Sequence, residues 1–164
     1  MKKLYLIGGT MGVGKTSVCQ ELNKRLASSV FLDGDWCWNA NPFQVNDETK
    51  RMVIQNICFL LNQFIHCSVY ENVVFCWVMH EQSIIDEILA GIDKTNCDIK
   101  IISLICSPST LLKRLENDIN RGIRTDDIIE RSINRIALYD KLNTIKIVTD
   151  GLNIDFIANQ IAKL

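Results

Sequence analysis

Short runs of consecutive apolar residues alternate along the whole chain with longer stretches in which apolar positions recur every three or four residues. Leu4–Ile7 is the first such run, and Gly8-Gly9 ends it. Lys15–Ala27 then reads as a helix with Val18, Leu22 and Leu26 on one face. Val30–Leu32 predicts a short strand closing on Asp33-Gly34-Asp35, followed by a polar loop through Asn39-Ala40-Asn41-Pro42. Asp47 to about His66 predicts a long helix that is apolar nearly all round. One side of it must face a sheet. The other is either a homodimer surface or a wall of a binding site. Asn72–Val78 reads as a buried strand, and Ser83–Gly91 as a helix with an Ile84, Ile85, Ile88, Leu89 face. Lys100–Cys106 is another buried strand, after which Ser107-Pro108-Ser109 opens a helix with proline near its first turn. A helix over Thr125–Leu142, a strand over Ile145–Val148 and a helix over Asn153–Ala162 complete the chain.

Strands this continuous in Val, Ile and Leu are covered on both faces. Their alternation with helices predicts parallel pairing through right-handed crossovers. The expected fold is α/β, a three-layer α/β/α sandwich around a five-stranded parallel sheet, built as one domain over residues 1–164. Ligands of such sheets bind beyond the carboxyl ends of the strands. That edge collects Gly8–Thr16, Asp33–Asp35, Met79–Glu81, Cys106-Ser107 and Thr149–Gly151.

Composition narrows the function classes. Apolar residues make up 48% of the 164 positions and charged residues 23%, a globular balance. The 18 basic and 19 acidic side chains leave a net charge of -1, so no general basic excess points to nucleic acid or a membrane surface. Seven cysteines, with no C-x-x-C pair and several inside apolar runs, fit a reducing cytoplasm better than a disulfide scaffold. No run approaches the roughly 20 apolar residues of a membrane span.

Gly9-Thr10-Met11-Gly12-Val13-Gly14-Lys15-Thr16 matches G-x-x-x-x-G-K-[ST] at every fixed position. The glycines let successive backbone N–H groups point at phosphate oxygens, and the following helix adds its positive end. Lys15 is expected at the β- and γ-phosphates of ATP, and Thr16 at Mg²⁺. A strand before and a helix after are the context this motif needs. A guanine-reading Asn-Lys-x-Asp is absent. The strand Asn72–Val78 also lacks the closing acid usual in motor-type and AAA+ ATPases, and both absences favour a kinase.

Arg114, Arg121, Arg124, Arg131 and Arg135 crowd one segment of an otherwise balanced chain. Phosphoryl transfer is mostly positioning and charge neutralisation, which such arginines supply. Arg131 falls off the Arg124/Arg135 pattern and reads as a solvated helix position. Arg124-Thr125-Asp126-Asp127, Glu130, Arg135 and Tyr139 together resemble the R-[ST]-D-D-x-x-E-x-x-x-x-R-x-x-x-Y segment of nucleoside monophosphate kinases. The resemblance implies a P-loop kinase type of fold, with a short lid around 114–124 covering ATP. It implies Arg124 and Arg135 on the transferred phosphates, Arg121 in the lid adding to the charge neutralisation, Arg114 near the adenine, and the backbone at Asp150-Gly151 wrapping the base.

The acceptor half departs from that family, since its phosphate-clamping arginines are missing and Arg51 is the nearest substitute. Asp33-Gly34-Asp35 instead resembles the L-D-G-D segment of gluconate and adenylylsulfate kinases and the D-x-D of shikimate kinases. Those enzymes phosphorylate a hydroxyl. The resemblance implies that Asp33 helps to organise Mg²⁺ and that Asp35 binds the acceptor hydroxyl as its base. Trp36, Trp38, Phe43 and Trp77 are candidates for an aromatic acceptor pocket, with His80 on the same sheet edge. The expected activity is ATP-dependent transfer to a hydroxyl of a small molecule. A nucleoside or nucleotide kinase and a non-catalytic nucleotide-binding regulator stand as rivals.

Overall fold

A computed structural model describes residues 1–164. Five strands, β1 (Lys2–Gly8), β2 (Ser29–Asp33), β3 (Asn72–Cys76), β4 (Cys97–Ile105) and β5 (Ile145–Val148), form one sheet in the order β2-β3-β1-β4-β5. All four pairings are parallel, with Leu6 opposite Phe75 on one side of β1 and opposite Ile101 on the other. Six helices connect them: α1 (Lys15–Arg25), α2 (Asp47–His66), α3 (Gln82–Gly91), α4 (Pro108–Asn120), α5 (Ile128–Asp140) and α6 (Ile154–Ala162).

The sheet separates two apolar cores, as the both-faces-buried strands require. Tyr5, Ile7, Val74 and Leu104 face α1 and α6 through Val18, Leu22, Ile157 and Ile161. Leu4, Leu6, Val73 and Phe75 face α2 and α3 through Val53, Ile57, Leu61, Ile85 and Ile88. Each such side chain, buried to within a few per cent, contributes about 1.5–3 kcal/mol. The result is a three-layer α/β/α domain of the P-loop kinase type. No helix is long and apolar enough to cross a membrane.

Local chemistry sets where the helices start. The Asn46 side chain accepts from the Thr49 N–H at 2.9 Å, while Thr49 Oγ1 accepts from the Asn46 N–H at 3.0 Å, a reciprocal cap on α2. Ser107 Oγ accepts from the Thr110 N–H at 3.2 Å, and Pro108 fills the first turn of α4.

Several boundaries differ from the sequence expectation. β3 stops at Cys76, two residues short of Val78, although the Trp77 N–H still donates to the Ile7 carbonyl at 3.2 Å. Helix α5 begins at Ile128 and not at Thr125, because 121–127 is a series of turns. Most of the expected lid is therefore continuous α4, and only the turns after Asn120 lie outside helix.

Candidate functional site

The site forms where β1 ends and its neighbours diverge to β3 on one side and β4 on the other. Gly9, Gly12 and Gly14 carry φ values of +156°, +83° and +102°. At Gly12 a Cβ would sit 2.6 Å from Leu115 Cδ2, so the loop packs directly onto α4. Three ties fix the loop. Thr10 Oγ1 donates to the Ser132 carbonyl at 2.8 Å, Gly9 N–H donates to the Val78 carbonyl at 3.4 Å, and Val13 is buried. Lys15 Nζ donates to the Thr10 carbonyl at 3.1 Å and so lies folded over the loop. Burial lowers the Lys15 pKa, opposed by Cys76, Asp35 and Asp33.

Thr16 Oγ1 donates to Asp33 Oδ2 at 2.7 Å. The other Asp33 oxygen accepts the Asp35 N–H at 3.1 Å, which caps a 3-10 turn over Gly34–Trp38. Asp33 is 6% exposed, whereas Asp35 opens to solvent. No trio of His, Cys, Asp or Glu forms a protein cage for a metal. A hydroxyl and a carboxylate in contact suit Mg²⁺, which takes one or two protein oxygens and fills its shell with phosphate and water. Desolvation, and then the Asp33 charge, push Asp35 above the usual carboxylate range; Lys15, Trp77 and Arg124 pull it back.

Two clefts flank this pair of residues, one lined by Thr16 and the other by Asp35. A polar one of about 370 Å³ is lined by Gly12, Gly14, Lys15, Thr16 and Ser17 on one side and Arg114, Arg121 and Arg124 on the other. A larger one of about 1320 Å³ is lined by Met11, Asp35, Trp38, Phe43, Arg51, Trp77, His80, Arg131 and Arg135, among others. The arginines thus divide, with Arg121 and Arg124 over the phosphate loop and Arg131 and Arg135 on the larger cleft. Arg124 Nε also donates to Asp118 at 3.1 Å.

Some expected residues also make structural contacts. Arg114 donates to the Val13 carbonyl at 3.1 Å and to Thr149 Oγ1 and carbonyl at 2.9 Å each, bracing the phosphate loop against the turn after β5. The Asp150 carboxylate accepts from the Ser107 N–H and hydroxyl and from the Thr110 hydroxyl, so it caps α4. The Ser107 hydrogen bond leads in lowering its pKa. Gly151 turns the chain at φ +67° beside it. Trp36 is 60% exposed, stacks edge-on with Phe31 at 5.3 Å, and lies off the larger cleft. Trp38 and Phe43 do stack there, with ring centroids 4.6 Å apart.

Further contacts complete the site. Arg131 is exposed, as its reading as a solvated position expects, and it also lines the larger cleft. Gly34 gives Trp77 its place: a Cβ there would meet Trp77 Cγ at 2.5 Å. Met79 holds φ +35° while fully buried, and the Tyr139 hydroxyl donates to the neighbouring Val78 carbonyl. Positive φ at a buried Met carries no sequence signal. Gly34 and Trp77 were both visible in the sequence, but their contact was not.

A family model described as AAA domain matches residues 6–135. No curated protein matches the chain. Solved structures resemble it over nearly its whole length. The tunicamycin resistance protein of Deinococcus radiodurans superposes with a TM-score of 0.76 at 18% identity, covering 99% of this chain and 95% of that one. A gluconokinase from Sinorhizobium meliloti gives 0.72 at 15%, covering 98% and 90%. The APS kinase of Mycobacterium tuberculosis, solved with AMPPNP and APS, gives 0.70 at 13%, covering 99% and 96%.

Proposed function

The chain belongs to the AAA domain family, and from that premise we propose that it transfers the γ-phosphate of ATP to a hydroxyl of a small molecule. The observation that carries the reading is the placement of two carboxylates two residues apart. Asp33 touches the phosphate-loop Thr16, and Asp35 opens into the larger cleft. The names of two structural neighbours, gluconokinase and APS kinase, are those of kinases and support it. So does the end of β3, where Cys76 stands and no acid closes the strand. The carboxylate facing Thr16 comes from the adjacent strand β2.

In this reading the loop amides and Lys15 hold the phosphates in the polar cleft. Thr16 and Asp33 would hold Mg²⁺, which when bound would supply charge neutralisation for the triphosphate. The acceptor lies in the larger cleft with its hydroxyl on Asp35. As the acceptor oxygen bonds to the γ-phosphorus, the bridging bond to the β-phosphate breaks, ADP leaves, and Asp35 takes the hydroxyl proton. Arg121 and Arg124 neutralise the charge spread over the moving group. Phosphorus NMR of the protein with ATP, Mg²⁺ and a panel of alcohols tests this reading. A new phosphomonoester formed in step with ADP is expected, and ADP with inorganic phosphate alone would contradict it.

A nucleotide acceptor is the second reading, favoured by Arg51, Arg131 and Arg135 on the larger cleft, which could hold a phosphate. It predicts products from a nucleoside monophosphate panel and none from simple alcohols.

A further inference from the structure

The cleft assigned to the acceptor is much longer than a sugar acid. Its wall on α2 runs from Asp47 to Asn62, which at about 1.5 Å of rise per residue makes about 22 Å. Its volume of about 1320 Å³ exceeds the roughly 300–1,000 Å³ that holds a drug-sized ligand. Twelve of its 25 lining residues are hydrophobic, so the length is not a channel for water and ions. Its four Lys and Arg side chains are matched by four Asp and Glu, so it does not select a polyanion. Phe43, Val45 and Phe59 stand 60%, 59% and 63% exposed along it, apolar groups left in water until something covers them. At the end remote from Asp35, α2 and α3 are tied together. There Asn62 Nδ2 donates to the Gly91 carbonyl at 3.0 Å, and Gly91 packs so tightly on Cys58 that a Cβ would meet its Sγ at 2.5 Å.

We infer that the acceptor is an elongated, largely apolar organic alcohol, its body lying along α2 and its hydroxyl ending at Asp35. This deepens the phosphotransferase reading and rests on it. A short polyol would occupy only the Asp35 end and leave the Phe59 end in water. An elongated alcohol covers that surface, and each buried methylene adds to its affinity.

The probes are butanol, hexanol and octanol, with gluconate as the polar control. Binding is read from the indole N–H shifts of Trp38 and Trp77 with AMPPNP and Mg²⁺ present. Affinity is expected to tighten about three- to fourfold per methylene, with gluconate weaker than octanol. Phe59→Ser, at a position 63% exposed, is expected to flatten the series without changing AMPPNP affinity. A series already flat in the unmodified protein overturns the inference. So does a dimer in sedimentation that Phe59→Ser dissociates, because the groove would then be a subunit interface. Phosphorylation of gluconate with a flat alkanol series would remove this acceptor class and leave the transfer reading standing. A steep series with no phosphorylated alcohol would support the occupant and count against transfer.

Discussion

The Thr16 hydroxyl reaches the Asp33 carboxylate across 2.7 Å, joining the first turn of α1 to the end of β2. The P-loop supplies one oxygen and the Asp-Gly-Asp segment the other, and the chain between them runs through α1 and β2. Thr16→Ala removes one Mg²⁺ oxygen and leaves the phosphate amides in place. AMPPNP affinity measured with Mg²⁺ is expected to fall about 10–100-fold. Affinity measured in EDTA is expected to stay the same. Equal losses in both conditions would show that Thr16 acts through loop structure and not through the metal.

Gly34 lies against the Trp77 ring, with a Cβ position 2.5 Å from Trp77 Cγ. Both flank Asp35, so Gly34→Ala must displace the indole that lines the acceptor cleft. Overpacking of this kind costs about 1–3 kcal/mol. Urea denaturation is expected to report that loss. Transfer is expected to drop while AMPPNP affinity holds, because the atoms an added Cβ would meet belong to Trp77. Unchanged turnover would place Trp77 outside the acceptor site.

His80 carries a pH signature. Burial, then the Arg135 charge, lower its pKa below the usual 6.5. The folded chain therefore resists a proton that the unfolded chain accepts. The stability effect is absent above about pH 6.5 and appears as a loss when pH falls through that value. An imidazole titration by NMR is expected to place His80 below 6.5, and Arg135→Met to move it upward. No movement would separate the two side chains.

Arg114 is predicted to act on architecture. Its three hydrogen bonds to Val13 and Thr149 tie the phosphate loop to the turn after β5. Arg114→Ala is expected to cost about 1.5–3 kcal/mol in denaturation, as loss of charge-assisted bonds does. Arg121→Ala is expected to leave stability unchanged and to slow transfer, since its side chain lies open over the polar cleft. If the two variants exchanged these effects, the division of the arginines would be wrong.

The layer order and the sheet edge were legible because hydrophobic period and loop chemistry are local properties. Leu4–Ile7 followed by Gly8-Gly9 announces both a buried strand and what lies at its end. The phosphate loop was legible for the same reason, since every backbone need at Gly9, Gly12 and Gly14 is met by one residue type. The arginines were harder. Arg131 and Arg135 lie one turn apart on α5, and which cleft they line depends on how α5 crosses the sheet, a tertiary fact. The same holds for Arg114 and Asp150, charged residues at the functional edge whose partners lie far off in sequence. The exposed Trp36 and the cleft-lining Trp38 are two residues apart on a 3-10 turn that no periodicity announced. Helix α2 was ambiguous between dimer face and site wall. The structure puts Ile54, Cys58 and Phe59 on the cleft.

Asp35→Asn tests the central claim most directly. The substitution keeps the shape and the bond from the Asp35 N–H to Asp33 but removes the proton acceptor. With a phosphorylated alcohol as readout, single-turnover transfer is expected to fall about 10²–10⁴-fold while AMPPNP affinity with Mg²⁺ stays that of the unmodified protein. Transfer at the original rate would contradict the assignment of Asp35 as the base and, with it, the reading of the larger cleft as the place where a hydroxyl meets ATP.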